Sequence, residues 1–345
     1  MSEQEQLKRR IPWHRTRIDR RLLAELNRRS DLLGFAQTLG YLATLTATGA
    51  FAWWVSVHFA WYWFAAAVFL HGTCCAFIVN GFHELCHNSV FRTRSLNVFF
   101  LHVLSFIGWH NPVLFWASHS EHHKYTLYPP EDGEVVLPVE MTLKGYLRGA
   151  FVDYWGFYQK VRMIFLRACF QRLSPGWHTA LFPPENVEER RRLFRWDRVL
   201  LFGHAAIAAG AVWTGWWQVL PLFTFATLFG RWLFLLCNSS QHVGLTDEVP
   251  DFRQNSRTFH LNPVVRFLYW HMNYHIEHHM YAAVPCYRLG RLHRAIRHEL
   301  PHCHSGLVPM WREIAGILRR QKREPGFQFV PELPEEREAA RAALT

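Results

Sequence analysis

Residues 32–83 read LLGFAQTLG YLATLTATGA FAWWVSVHFA WYWFAAAVFL HGTCCAFIVN GFH, without one Asp, Glu, Lys or Arg between Asp31 and Glu84. A helix crosses the ~30 Å hydrocarbon core of a bilayer in ~20 residues, so this run is long enough for two crossings. It predicts helices over about 33–56 and 59–82, with the turn around Val57-His58-Phe59-Ala60. A second uncharged run extends from Val199 to Gly230 and resumes after Arg231 as Trp232–Asn238. Gly215-Trp216-Trp217 divides it into spans of about 199–215 and 217–237. Charge at mid-bilayer costs ~2.5–3.5 kcal/mol per residue, which makes two such gaps a physical signal.

Lys and Arg partition around these runs: nine lie in residues 1–31, fourteen in 82–198, fourteen in 238–345, and Arg231 alone inside a span. The connections around His58 and Gly215 carry none. By the positive-inside rule the amino terminus, the central loop and the carboxy-terminal region face the cytoplasm. Trp53, Trp54, Trp61 and Trp63 flank one connection, and Trp213, Trp216 and Trp217 the other, as aromatic belts do. The expectation is an all-α integral membrane protein with four transmembrane helices in two hairpins.

A further apolar stretch, Leu96–Trp116, is broken by Gly108-Trp109-His110-Asn111-Pro112. Histidine clusters flank both its ends, so it reads as a re-entrant or interfacial helix rather than a crossing. Residues 142–171 mix aromatics with Lys144, Arg148, Lys160, Arg162 and Arg167, an amphipathic pattern that suits a membrane surface as well as a soluble helix. The expected organisation is a basic interfacial segment over 1–31, a membrane domain over 32–310 with a cytoplasmic helical cap, and a cytoplasmic tail over 311–345. The seven Cys show no Cys-x-x-Cys spacing, which excludes a disulfide framework and a thiolate zinc site. The net charge of +11 is read as an affinity for anionic lipid or an acidic protein, not nucleic acid.

The 22 His are clustered. His83-Glu84-Leu85-Cys86-His87 follows the second span. His119-Ser120-Glu121-His122-His123 follows the re-entrant stretch, Asn238-Ser239-Ser240-Gln241-His242 ends the fourth span, and His275-Ile276-Glu277-His278-His279 lies beyond it. Residues three and four apart are neighbours on a helix, so each segment can aim two or three imidazoles at one point. All four segments fall at or beyond the cytoplasmic end of a membrane element. Nine imidazoles exceed the ligand number of one ion, which implies two metals. Imidazole suits iron, copper, nickel and zinc alike, so ligand type leaves the metal open.

These motifs resemble the membrane fatty acid desaturase and hydroxylase superfamily, with its first box of His-x(3–4)-His and two boxes of His-x-x-His-His. Met272-Asn273-Tyr274 before the last box, and Val284-Pro285 with Leu289 and His293 after it, are similar to bacterial acyl-lipid desaturases. Ala282-Ala283 stand where many relatives carry a proline. The resemblance spans roughly residues 35–295. It implies a di-iron centre that uses O2 to remove hydrogen from an unactivated methylene. It also implies His83, His87, His119, His122, His123, His242, His275, His278 and His279 as direct ligands, with Asn238 holding its iron through water. Glu84, Glu121 and Glu277 are candidates to orient the rings.

No heme-, flavin- or iron–sulfur-binding segment is visible, so electrons would come from an external donor of ferredoxin, rubredoxin or cytochrome type with its reductase. Such an acidic partner would dock on the basic cytoplasmic face. The substrate would be a lipid or fatty acyl chain. Arg outnumbers Lys, a composition of GC-rich bacterial genomes, so the expected location is the inner membrane of a bacterium.

Three functions stay open at this point. Desaturation comes first, since the Asn238/His242 segment favours it. Hydroxylation, ketolation or oxidative decarboxylation to an alkene would use the same metals. A non-enzymatic metal transporter or heme protein is the third, although transport would put ligands at mid-bilayer. His58, His71, His102, His110 and His204 read as satisfied core histidines, with His71 the nearest to joining the ligands from about three helical turns before His83. His302-Cys303-His304 reads as a surface feature. Arg231, the one charge inside a span, would meet a substrate carboxylate or phosphate, or else snorkel or bond internally.

Overall fold

The computed structural model describes residues 10–135, 137 and 141–334, and they form a mostly helical chain. Helix α1 (Arg20–Leu26) precedes α2 (Asp31–His58), α3 (Trp61–Cys75) and α4 (Ile78–Cys86). Then come α5 (Arg94–Ile107), α6 (Pro112–Tyr125), α7 (Leu143–Ala150), α8 (Tyr154–Phe170) and α9 (Val187–Thr214). Helices α10 (Trp232–Ser239), α11 (His275–Met280), α12 (Cys286–Ile296) and α13 (Leu307–Gln321) complete the frame. The one sheet among the described residues pairs Phe259–His260 with His304–Ser305 in parallel.

Helices α2 and α3 make the first hairpin. Ser30 caps α2 by accepting from the Leu33 N–H, and the Asp31 carboxylate ties this end to Thr93. Inside the hairpin the Tyr41 hydroxyl donates to the Cys74 carbonyl at 2.8 Å. His71 bridges Thr48 Oγ1 at 2.8 Å and the Leu222 carbonyl at 2.9 Å, which makes it a core histidine with both nitrogens satisfied. Helices α3 and α4 run on as one apolar stretch, Trp61–Cys86, long enough to cross a bilayer.

The break expected at Gly108–Pro112 is present. Pro112 opens α6, Asn111 caps it, and α5 and α6 meet at 106°. Together they too are apolar enough for a bent or re-entrant membrane element. Residues 199–215, expected as the third span, fall in α9, which ends at Gly215 in the left-handed conformation; among the described residues only Trp61–Cys86 and the bent α5–α6 pair are long and apolar enough to cross a bilayer. The fourth differs from expectation. Residues 217–237 are not one helix but a π-type turn at Leu220–Thr224, a 3-10 turn at Ala226–Leu228 and the short α10. Pro221 lacks the N–H a regular helix needs, and Gly230 has φ +64°. A Cβ on Gly230 would sit 2.4 Å from the Phe69 carbonyl oxygen, and one on Gly72 would sit 2.6 Å from that of Phe229. This broken segment therefore packs by backbone against α3.

The two hairpin tips meet: Trp53 stands edge-on to Trp216 at 5.9 Å and Phe64 to Trp217 at 5.5 Å. Around them Trp54, Phe59, Trp61, Trp63, Trp213, Trp216 and Trp217 are exposed. At the opposite end the chain builds a cap. Trp270, Tyr269, Phe252, Phe259 and Met280 are fully or almost fully buried there, with Met310 and Ile314 of α13 in the same core. The segment expected as a tail from residue 311 is thus held to the cap. Trp311 Nε1 donates to the Leu236 carbonyl at 3.0 Å, and the Phe329 N–H to Gly244 at 2.9 Å. Residues 335–345 lie outside the described residues. The expected basic segment 1–31 is likewise packed from residue 10 onward: Trp13 stacks on Phe252 at 4.2 Å and Leu26 is buried.

Candidate metal centre

The histidine segments lie at the ends of these helices and converge beneath the cap. His83 is on α4 and His87 caps its end, while His119, His122 and His123 share α6. His242 follows α10, and His275, His278 and His279 make up half of α11. The nine rings divide into two groups. His83, His87, His119, His123 and His278 each present a nitrogen within 4.8 Å of the others, and so do His122, His242, His275 and His279.

Each triple is therefore shared between two points rather than aimed at one. On α6, His119 and His123, four apart and so nearly in line, join the five-membered group, and His122 joins the other. On α11 the pair four apart, His275 and His279, joins the four-membered group, and His278 the five-membered one. The two boxes interleave, each contributing to both groups.

The Nε2 atoms crowd one another. His119 Nε2 lies 2.9 Å from that of His123 and 3.2 Å from that of His87. His123 and His278 are 3.1 Å apart, His275 and His242 3.0 Å, and His275 and His279 3.1 Å. The outer nitrogens decide what this crowding means. His242 Nδ1 donates to the Asn255 carbonyl at 2.7 Å, and a carbonyl only accepts, so the neutral ring turns a bare lone pair inward. His122 Nδ1 donates to Asp132 at 2.8 Å, His119 Nδ1 to Glu134 at 3.0 Å and His83 Nδ1 to Glu84 at 3.1 Å. Those rings also turn lone pairs inward. Converging lone pairs repel unless a cation lies between them, and this donor set fits a metal ion in each group.

Protonation does not supply that cation. Burial, with the neighbouring rings acting in the same sense, holds His275, His278 and His279 well below the ordinary histidine range. His242 is pushed down to about 3, by burial first. Neutral imidazole is the form that binds metals. His122 is the exception. Burial lowers it, but the Asp132 carboxylate and its hydrogen bond outweigh burial and raise it.

Of the three box glutamates, only Glu84 faces the rings, meeting His83 and lying 3.6 Å from His278 Nδ1. Glu121 pairs with the exposed Lys124. Glu277 turns from the nine rings to accept from Thr258 Oγ1 and His293 Nδ1, both at 2.5 Å, and so anchors α11 from behind. Asp132 and Glu134 escaped the sequence reading. They lie in a loop whose residues show no helical spacing, and the Asp132 carboxylate also accepts from the Leu127, Glu134 and Val135 N–H groups. The one available signal was an acidic pair about ten residues after a histidine box. Asn238 stands on the last turn of α10, half-buried, one helical turn before His242. His102 and His204 bond backbone carbonyls, His58 does the same, and His304 pairs with Glu313. Arg231 forms an ion pair with Asp153.

No curated protein is similar enough to this chain to count as a relative. The family model described as fatty acid desaturase matches residues 60–311, which includes all nine histidines. With most of its length matched and its imidazoles gathered as two groups suited to metal ions, the chain belongs to the fatty acid desaturase family.

Proposed function

We propose that this protein is a membrane di-iron oxidoreductase that takes O2 and electrons from an external donor and desaturates a fatty acyl chain. The observation that carries the proposal is the division of nine inward-facing imidazoles into two adjacent groups. In this reading His83, His87, His119, His123 and His278 hold one iron, and His122, His242, His275 and His279 the other, with Asn238 reaching its iron through water. When bound, the two irons supply oxygen activation and removal of hydrogen from an unactivated methylene.

The chain's own residues do the rest. Asp132, Glu134 and Glu84 fix the tautomers of His122, His119 and His83 and hold each ring's outer proton at Nδ1. Ligands that are neutral leave the charge changes of the reaction to the metals and their oxygen ligands. Burial of the rings under the cap keeps bulk water from the oxidant.

Four crossings in two hairpins remain our reading, with the fourth broken, and in that reading the centre faces the cytoplasm. The exposed aromatic tips and the Lys/Arg partition support this reading. We assign it to a bacterial inner membrane as a multi-pass protein. The donor, a ferredoxin, rubredoxin or cytochrome with its reductase, would meet the basic cap. Lipid mass spectrometry of a host expressing the chain tests the reaction. Loss of two hydrogens without gain of oxygen is expected, and a gain of one oxygen would make the protein a hydroxylase instead.

A further inference from the structure

A cavity of about 300 Å³ lies where α3 gives way to α4, between α8 and the start of α10. Its polar lining is His110, Asp153, Lys160, Thr227 and Arg231, and the rest of its wall is apolar, Phe157 and Phe234 included. Three features set it apart from a filled polar gap.

The first is its charge. Asp153 is already engaged, capping α8 through the Gly156 N–H at 3.0 Å and pairing with Arg231. Lys160 is left as a surplus cation whose ammonium finds, among the described residues, only the Gly108 carbonyl, at a long 3.5 Å. Burial lowers it to about 8, so the charge is held at a cost that an incoming anion would relieve. The second is an unspent hydrogen-bonding group. The buried Thr227 hydroxyl has no partner among the described residues. Buried polar groups are normally paired, so it marks a place for a polar ligand atom, with the half-buried His110 ring beside it in the lining.

The third is position. The His110 ring stacks on Phe82 at 4.4 Å, Phe82 meets Phe115 at 4.5 Å, and Phe115 stacks on His119 at 4.9 Å. A continuous row of aromatic rings thus links the chamber to the five-histidine group.

We propose that this chamber binds the carboxylate of a free fatty acid, with Lys160 as its cationic partner and Thr227 and His110 as hydrogen-bond donors, so that the alkyl chain runs past Phe82 and Phe115 to the metals. The inference rests on the oxidase reading above and names its substrate class. Size and charge favour this head group over the alternatives. A cavity of about 300 Å³ is at the lower end for small-ligand sites and suits a carboxylate better than a nucleotide thioester head. A neutral ester or terpenoid would leave the Lys160 charge uncompensated.

The test is equilibrium binding of radiolabelled palmitate and of methyl palmitate to the purified full chain in detergent micelles. The acid should bind more tightly by about tenfold or more, the range of hydrogen bonds to charged groups. Lys160→Met should bring the ratio close to one, Lys160→Arg should keep it, and Thr227→Val should lower it in part. Iron content should not change in any of them. Equal affinity for acid and ester in the unaltered protein, or an undiminished ratio in Lys160→Met, would overturn the proposal. The first comparison needs no variant, so it stands even if Lys160→Met does not fold. Product analysis separates the two readings: tight acid binding without oxygen-dependent product refutes the oxidase, and oxidation of acid and ester with equal KM refutes the chamber.

Discussion

Replacing Asp132 by asparagine keeps the shape of the side chain and removes its charge. In the structure one carboxylate oxygen accepts from His122 Nδ1 at 2.8 Å and from the Leu127 N–H at 2.9 Å, while the other accepts from Glu134 and Val135. An amide has only one accepting oxygen. If it serves the backbone pair, its NH2 faces the His122 Nδ1 proton, and the ring must turn or change tautomer. Either outcome takes the Nε2 lone pair away from the four-histidine group. Removing such an outer partner costs a metal site about 10- to 100-fold in affinity, equivalent to ~1.4–2.8 kcal/mol.

The loss should be local, because His122 belongs to the four-histidine group and none of the other eight rings bonds Asp132. The assay is metal content during dialysis against a graded chelator. Asp132→Asn should release one ion at a chelator concentration 10- to 100-fold lower than the unaltered protein does, and hold the second normally. Glu121→Gln, whose carboxylate pairs with the exposed Lys124, is the control and should release neither early. An Asp132→Asn protein that keeps both ions as tightly as the original would refute the reasoning.

Glu84→Gln should weaken the other group, through His83 and His278, and lower turnover about 10- to 100-fold while protein yield stays normal. Gly72→Ala drives a methyl to within 2.6 Å of the Phe229 carbonyl and should destabilise the protein by about 1–3 kcal/mol, seen as a lower Tm in detergent. Arg167 binds Asp197 through two hydrogen bonds of 2.7 and 3.1 Å in a buried pair joining α8 to α9. Arg167→Ala strands the Asp197 charge at about 3–5 kcal/mol, and adding Asp197→Leu should recover much of it in the same melting assay.

The histidines were legible because their spacing is itself geometric. Residues three and four apart on a helix share a side whatever surrounds them, so His119, His122 and His123 had to be neighbours. How the rings divide was not legible, since the fork between His122 and its two companions depends on where the partner helix α11 enters. The bend before α6 could be read from Gly108 and Pro112, which act locally on the backbone. The break within residues 217–237 could not. An apolar run records the solvent, not the continuity of hydrogen bonds, and the break depends on close backbone contact with Gly72 of α3. Asp132, Glu134 and the Asn255 carbonyl escaped for another reason: each meets its histidine from 10 to 15 residues away, a separation with no helical period to reveal it. The cap's hold on α13 was hidden by a charged composition, because only Met310, Ile314 and Ile317 of that helix turn inward.

Anomalous difference density collected at the iron absorption edge, from crystals of the full chain, bears most directly on the whole account. Two separate peaks are predicted, one enclosed by His83, His87, His119, His123 and His278 and the other by His122, His242, His275 and His279. A single peak shared by all nine rings, or iron lying outside both groups, would contradict it.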